Sequence, residues 1–157
     1  MLFHLLNALG RTTERCSSRA TVTGTPRQTE GTLGRWWGDL ILYGSEERGL
    51  IDEFPAQPDD TIIDKNRYTS FFGTELNNLL RKEGVEDLVI AGVLTNCCWE
   101  TTARDAFMRD YRVFFAADAT AAPTEELHLA SLRNLAFGFA YILNPKGILE
   151  NIKNELK

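Results

Sequence analysis

The sequence predicts an α/β fold, a three-layer α-β-α sandwich on a mainly parallel sheet. Three observations carry this reading. From residue 60 onward, strand-like apolar runs alternate with segments of helical spacing. The run Leu88–Val93 (LVIAGV) is continuously apolar, as a strand buried on both faces of a parallel sheet must be. The length of 157 residues suits one domain, and 43% hydrophobic with 25% charged residues is ordinary globular composition.

The elements follow in order. Met1–Leu9 is apolar but has neither a basic leading region nor a small-residue cleavage site, so no signal peptide is read there; at most it is the tail of a helix. Arg11–Gly34 is rich in Thr, Ser, Arg and Gly and nearly devoid of large apolar residues, the composition of a solvated arm. The chain is thus expected to divide into an atypical, poorly ordered segment, 1–32, and a folded domain, 33–157. Asp60–Asp64 (DTIID) reads as a short strand running into Lys65. Thr74–Lys82 reads as a helix with Thr74 as its cap and Gly84 as its stop. After the Leu88–Val93 strand come a helix over Asn96–Arg109 and a second buried strand, Arg112–Ala117 (RVFFAA). A helix over Thr124–Phe137, capped by Thr124, a strand over Phe139–Leu143 and a terminal helix over Ile148–Lys157 complete the order.

Composition removes several function classes. A net charge of −5 argues against a nucleic-acid partner. No apolar run approaches the roughly 18 residues of a membrane span. Three cysteines, two of them adjacent, make no disulfide framework, which points to the reducing cytoplasm. Gly92 lies in neither a GxGxxG nor a GxxxxGK pattern, so no nucleotide site is expected. His4 and His128 lie far apart, so no metal site and no cofactor are expected. His128, inside a predicted helix, reads as a surface histidine rather than as half of a Cys–His dyad.

The chemistry-bearing stretch is Gly92–Glu100 (GVLTNCCWE), where a strand, a tight turn and a helix start fall together. Parallel sheets place their chemistry at such carboxyl ends. Cys98 would occupy the first helical turn, where the helix dipole favours a thiolate and free backbone N–H groups can hold an oxyanion. It is either a nucleophile for a carbonyl carbon or a small core residue. Cys97 and Cys98, being consecutive, cannot both point into one site, so one of them packs. Lys65, at a strand end, is either a cation beside that thiolate or a solvated lysine. Tyr68, Phe71 and Phe72 either wall a pocket or fill the core. Trp36 and Trp37 face opposite ways if on a strand, so at most one closes over a substrate. Arg104 and Asp105 are expected to form ion pairs along their helix.

The stretches Lys65–Thr74 (KNRYTSFFGT), Ala91–Ala106 (AGVLTNCCWETTARDA), Tyr111–Ala122 (YRVFFAADATAA) and Glu126–Leu135 (ELHLASLRNL) carry a resemblance. In order and spacing over about 100 residues, from near Leu33 to Leu143, the chain resembles the isochorismatase-like cysteine hydrolases, whose members include nicotinamidases and N-carbamoyl amidohydrolases. The resemblance implies Cys98 as nucleophile and Lys65 as the family lysine. It also implies a cis peptide at Val93–Leu94, which directs the backbone N–H groups of Leu94 and Cys98 to one point as an oxyanion hole. Candidate substrate contacts are Tyr68, Phe71, Phe72, Trp36 and Asn96. The implied reaction is cleavage of the C–N bond of a small amide or carbamoyl compound through a thioester on Cys98, by a homo-oligomer, dimer or tetramer.

One expected part is absent. The family's third catalytic residue is an aspartate ending the first strand, in a stretch like Asp-x-Gln-x-x-Phe, and this sequence has none. That strand lies centrally in the family, beside the strand ending at Val93. Its loss would leave a gap in the sheet and an impaired site. The reading that follows is an N-terminally truncated hydrolase domain lacking its opening strand. The alternatives are a non-catalytic paralogue serving small-molecule binding or assembly, and a site in which another carboxylate substitutes.

Overall fold

A computed structural model of the chain describes residues 3–7, 19–24, 32, 35–36, 58 and 60–144. Among these, six strands form one sheet in the order β3-β2-β1-β4-β5-β6. The strands are β1 (Phe3–Asn7), β2 (Arg19–Gly24), β3 (Thr61–Lys65), β4 (Asp87–Val93), β5 (Arg112–Ala121) and β6 (Tyr141–Leu143). Three described α-helices accompany them: α1 (Leu76–Lys82), α2 (Glu100–Phe107) and α3 (Glu125–Gly138). The pairs β2–β3, β4–β5 and β5–β6 are parallel, while β1 runs antiparallel to both neighbours. The architecture is the expected α/β sandwich on a mainly parallel sheet.

The helices begin and end for local reasons. Thr124 caps α3 by accepting the Leu127 N–H at 3.3 Å. The Thr74 hydroxyl accepts the Leu76 N–H at 3.3 Å and donates to the Ser70 carbonyl at 2.6 Å, so it joins the loop after β3 to α1. Gly84, at φ +65°, turns the chain into β4 as a residue with a side chain would do only under strain.

The core lies on one face of the sheet. Leu88 and Ile90 of β4 and Val113 and Phe115 of β5 pack there against Leu76 and Leu80 of α1, Ala103 and Ala106 of α2 and Leu135 of α3. Alternation sends Val89, Phe114 and Ala116 to the other face, with Ala91 and Leu143. Trp99, with no exposed surface, closes the first cluster beneath the β4–α2 turn.

Two findings differ from the sequence reading. Met1–Leu9 holds a strand, not a helix tail, and a second strand lies inside the arm-like Arg11–Gly34 stretch. The place beside β4, expected to be a gap, is taken by β1, with Phe3 opposite Gly92 and Asn7 opposite Leu88. The reason is that strand pairing draws on main-chain N–H and C=O groups, which a segment poor in large apolar side chains still supplies. Thr21, Val22 and Thr23 are also β-branched, which suits a strand. Trp37 and the predicted terminal helix, Ile148–Lys157, lie outside the described residues.

Candidate active site

The site forms where the β4 chain turns into α2. Gly92 has φ +125°, a conformation open to glycine, and the Val93–Leu94 peptide bond is cis. The chain then makes a wide π-helical turn over Thr95–Trp99 before α2 begins at Glu100. The Leu94 carbonyl accepts the N–H groups of both Cys97 and Trp99, each at 3.3 Å. Between these two residues sits Cys98, 5% exposed. Such wide turns recur at functional positions in helices.

Lys65 reaches this turn from β3. Ile63 and Lys65 share the inward side of the strand while Ile62 and Asp64 are exposed, the two-residue alternation of a half-buried strand. Two strands separate β3 from β4, about 14 Å at ordinary strand spacing. The lysine stem and the turn after β4 together cross that distance. The Lys65 ammonium, on a side chain 3% exposed, donates to Cys98 Sγ at 3.6 Å and to the Arg67 carbonyl at 2.9 Å. Burial pulls the Lys65 amine below its ordinary value, and the charge and hydrogen bond of Cys98 oppose that pull. A buried ammonium is tolerated when partners lie against it, and the two in reach here are Cys98 Sγ and the Arg67 carbonyl.

The adjacent Cys97 is different. It is half-buried against the core, and its thiol is pushed up first by burial, then by the charges of Cys98 and Glu100. Of the two consecutive cysteines, Cys97 packs and Cys98 meets the lysine. Glu100, the acid nearest in sequence, has both oxygens occupied. Oε1 accepts from Arg104 at 2.7 Å and Oε2 from Ser131 at 2.6 Å.

The segment carrying Lys65 is tied to the helix following Cys98. The Thr102 hydroxyl, on a fully buried side chain, accepts the Ser70 N–H at 3.1 Å. The Thr69 hydroxyl donates to Asp105 at 2.6 Å, and Asp105 also accepts from Arg109 at 2.7 Å. Arg104 and Asp105 thus form their helical ion pairs, with Asp105 holding the loop as well. These bonds join the two motifs that lie far apart in sequence.

The remaining candidates separate. Phe71 is 4% exposed and stacks on Tyr111 at 6.0 Å, so it belongs to the core, the packing alternative at that position. Tyr68 is half-buried at the margin of the same cluster. Asn96 lies in the turn that carries Cys98, with its Oδ1 buried and taking no hydrogen bond from the described residues. Phe72 and Trp36 are 57% and 80% exposed. His128 is not the surface histidine expected: it is half-buried, with Nδ1 2.9 Å from the Thr95 hydroxyl. The sequence hint was its place on the helix behind the turn, but only tertiary packing brings the two together.

Comparison with known proteins agrees with this architecture. The Isochorismatase domain family model matches residues 9–145. The chain belongs to the isochorismatase family. It is similar to Nicotinamidase 3 of Arabidopsis thaliana, at 49% identity over 118 residues, covering 73% of this chain and 59% of that protein. It is also similar to the ureidoacrylate amidohydrolase RutB of Methylobacterium radiotolerans, at 40% identity over 104 residues, covering 66% of this chain and 40% of that protein. The chain therefore spans less than two thirds of the length of either relative. Among solved structures, an isochorismatase-like hydrolase from Alkaliphilus metalliredigens superposes with a TM-score of 0.77 at 29% identity, over 87% of this chain and 72% of that one.

Proposed function

We propose that this chain carries the nucleophile and lysine of a cysteine hydrolase that cleaves the C–N bond of a small amide or carbamoyl compound. The observation that carries the reading is the buried contact between Lys65 Nζ and Cys98 Sγ at 3.6 Å. Cys98 attacks the carbonyl carbon as a thiolate held by the Lys65 ammonium. The backbone N–H groups of Leu94 and Cys98 receive the developing oxyanion. Collapse of the adduct expels ammonia or an amine, which takes its proton from water as it leaves, and a further water hydrolyses the Cys98 thioester to the acid and the free thiol. Tyr68 and Asn96, half-buried beside Lys65 and Cys98 in sequence, are the substrate contacts we favour; Trp36 and Phe72, being exposed, would have to close over the substrate. The relatives named for nicotinamide and ureidoacrylate support the amide class.

The setting we propose is a cytoplasmic homo-oligomer with no nucleic-acid or membrane partner. The net charge of −5 argues against a nucleic-acid partner, and among the described residues no helix is long and apolar enough to cross a membrane.

A second reading, a scaffold that binds such a molecule without turning it over, is favoured by one observation. The strand beside β4 is FHLLN, without a carboxylate, and its residue opposite Gly92 is Phe3. The family's proton-transferring aspartate has no counterpart there. One assay separates the two readings: ammonia release from nicotinamide and from a carbamoyl amide, by the chain and by Cys98→Ser. Release that depends on Cys98 supports the hydrolase. Saturable binding of the same compounds without release supports the scaffold.

A further inference from the structure

The turn that carries Cys98 begins on long backbone bonds, while its far end is closed by the Glu100 N–H on the Thr95 and Cys97 carbonyls. Its two bonds to the Leu94 carbonyl are 3.3 Å long, against about 2.9–3.0 Å for an ordinary N–H···O bond. Shorter side-chain bonds grip both of its ends as well, and both come from one face of α3. His128 Nδ1 lies 2.9 Å from the hydroxyl of Thr95, the first residue of the turn. Ser131, three residues on and so on the same helical face, donates its hydroxyl to Glu100 Oε2 at 2.6 Å, just past the end of the turn. Thr95 has no exposed surface and Ser131 is 3% exposed, so water competes little for either bond. Cys98 lies between the two anchors.

We propose that His128 and Ser131 are positioning residues that clamp the nucleophile turn and hold Cys98 Sγ against Lys65. The proposal rests on the reading of Cys98 as nucleophile and adds to it a role for α3. The Thr95 hydroxyl and His128 Nδ1 make one bond whichever of them donates. The Ser131–Glu100 bond is charge-assisted, the stronger class. Arg104 holds the other oxygen of Glu100 at 2.7 Å, which fixes the carboxylate to receive Ser131.

The test compares the full chain with His128→Ala, Ser131→Ala, the double variant and His128→Asn, whose amide can replace Nδ1. Hydrogen exchange is followed in the peptide covering residues 95–100 and in the β4 and β5 peptides, and kcat and KM are measured for nicotinamide. The clamp predicts exchange over 95–100 faster on the order of tenfold in the double variant, with β4 and β5 unchanged, and recovery in His128→Asn. It predicts a kcat loss on the order of tenfold or more with KM nearly constant, as displacement of a reacting group costs rate rather than binding. Unchanged exchange over 95–100, an equal rise in all three peptides, or a loss confined to KM overturns the clamp. If the parent chain turns over no nicotinamide, exchange alone decides the clamp, while the hydrolase reading falls separately.

Discussion

Lys65 Nζ lies 3.6 Å from Cys98 Sγ although Lys65 ends β3 and Cys98 lies in the turn after β4, with two strands between β3 and β4 in the sheet. Both side chains are buried, so a charge on Lys65 acts on Cys98 with little screening. Lys65→Ala removes the amine beside Cys98, the proposed nucleophile, and opens a cavity. The expected result is a fall in amide turnover on the order of a hundredfold or more, the scale seen when one preorganised electrostatic group is lost. Lys65→Arg, with its planar fork, is expected to restore little of it. Steady-state kinetics on both variants checks this, and full activity in Lys65→Ala contradicts it.

The buried lysine also leaves a pH signature. Its amine is held below the ordinary 10.5, burial being the larger cause and Cys98 the opposing one. In a Cys98→Ala background the opposition is gone. Between the lowered folded value and 10.5 the folded chain binds fewer protons at this site than the unfolded chain, so stability rises with pH there. The contribution is fully present above 10.5 and is lost as pH falls through the folded value. The unfolding free energy of Cys98→Ala minus that of Cys98→Ala with Lys65→Met should therefore climb across that window. Urea titrations at stepped pH measure it; a flat or falling difference contradicts the assignment.

Cys97 and Cys98 should behave unlike each other. The Cys97 thiol is pushed up by burial and by its negative neighbours, so at neutral pH it stays protonated and poorly nucleophilic. Cys97→Ser is expected to keep turnover within a few-fold of the parent, while Cys98→Ser abolishes it. Peptide mapping after limited iodoacetamide treatment should find the Cys97 label lagging the Cys98 label. The reverse order would assign the nucleophile to the wrong residue.

The loop–helix bonds are a stability matter. Thr102→Val keeps the shape but leaves the buried Ser70 N–H without its acceptor at 3.1 Å. An unsatisfied buried donor costs about 1–3 kcal/mol, and that is the expected loss in urea unfolding. Trp99→Ala, at a position with no exposed surface, should cost about 3–5 kcal/mol by the same measurement.

Much of this was legible in the sequence because it rests on local patterns. The apolar run at Leu88–Val93 has the pattern of a strand buried on both sides, and Thr124 could be read as a cap. The two halves of the site, Lys65 and Cys98, stood out as a strand end and a strand–turn–helix junction. What escaped depends on pairing across the chain. The strand at Phe3–Asn7 is too short for periodicity to separate it from helix, and its partner β4 lies far off in sequence. His128 looked exposed because its helix is only weakly amphipathic; the bond to Thr95 spans 33 residues. Phe71, Phe72 and Tyr68 are near neighbours of similar chemistry, and only the fold sends Phe71 to the core and Phe72 outward.

The account turns on Cys98 forming a bond to the substrate carbonyl carbon. The most direct measurement mixes the chain with nicotinamide, quenches in acid, and maps the adducts by mass spectrometry while ammonia is assayed in parallel. The account predicts ammonia release together with an acyl adduct on Cys98, absent from Cys97 and Cys16, and loss of both in Cys98→Ser. Undiminished ammonia release by Cys98→Ser would contradict it.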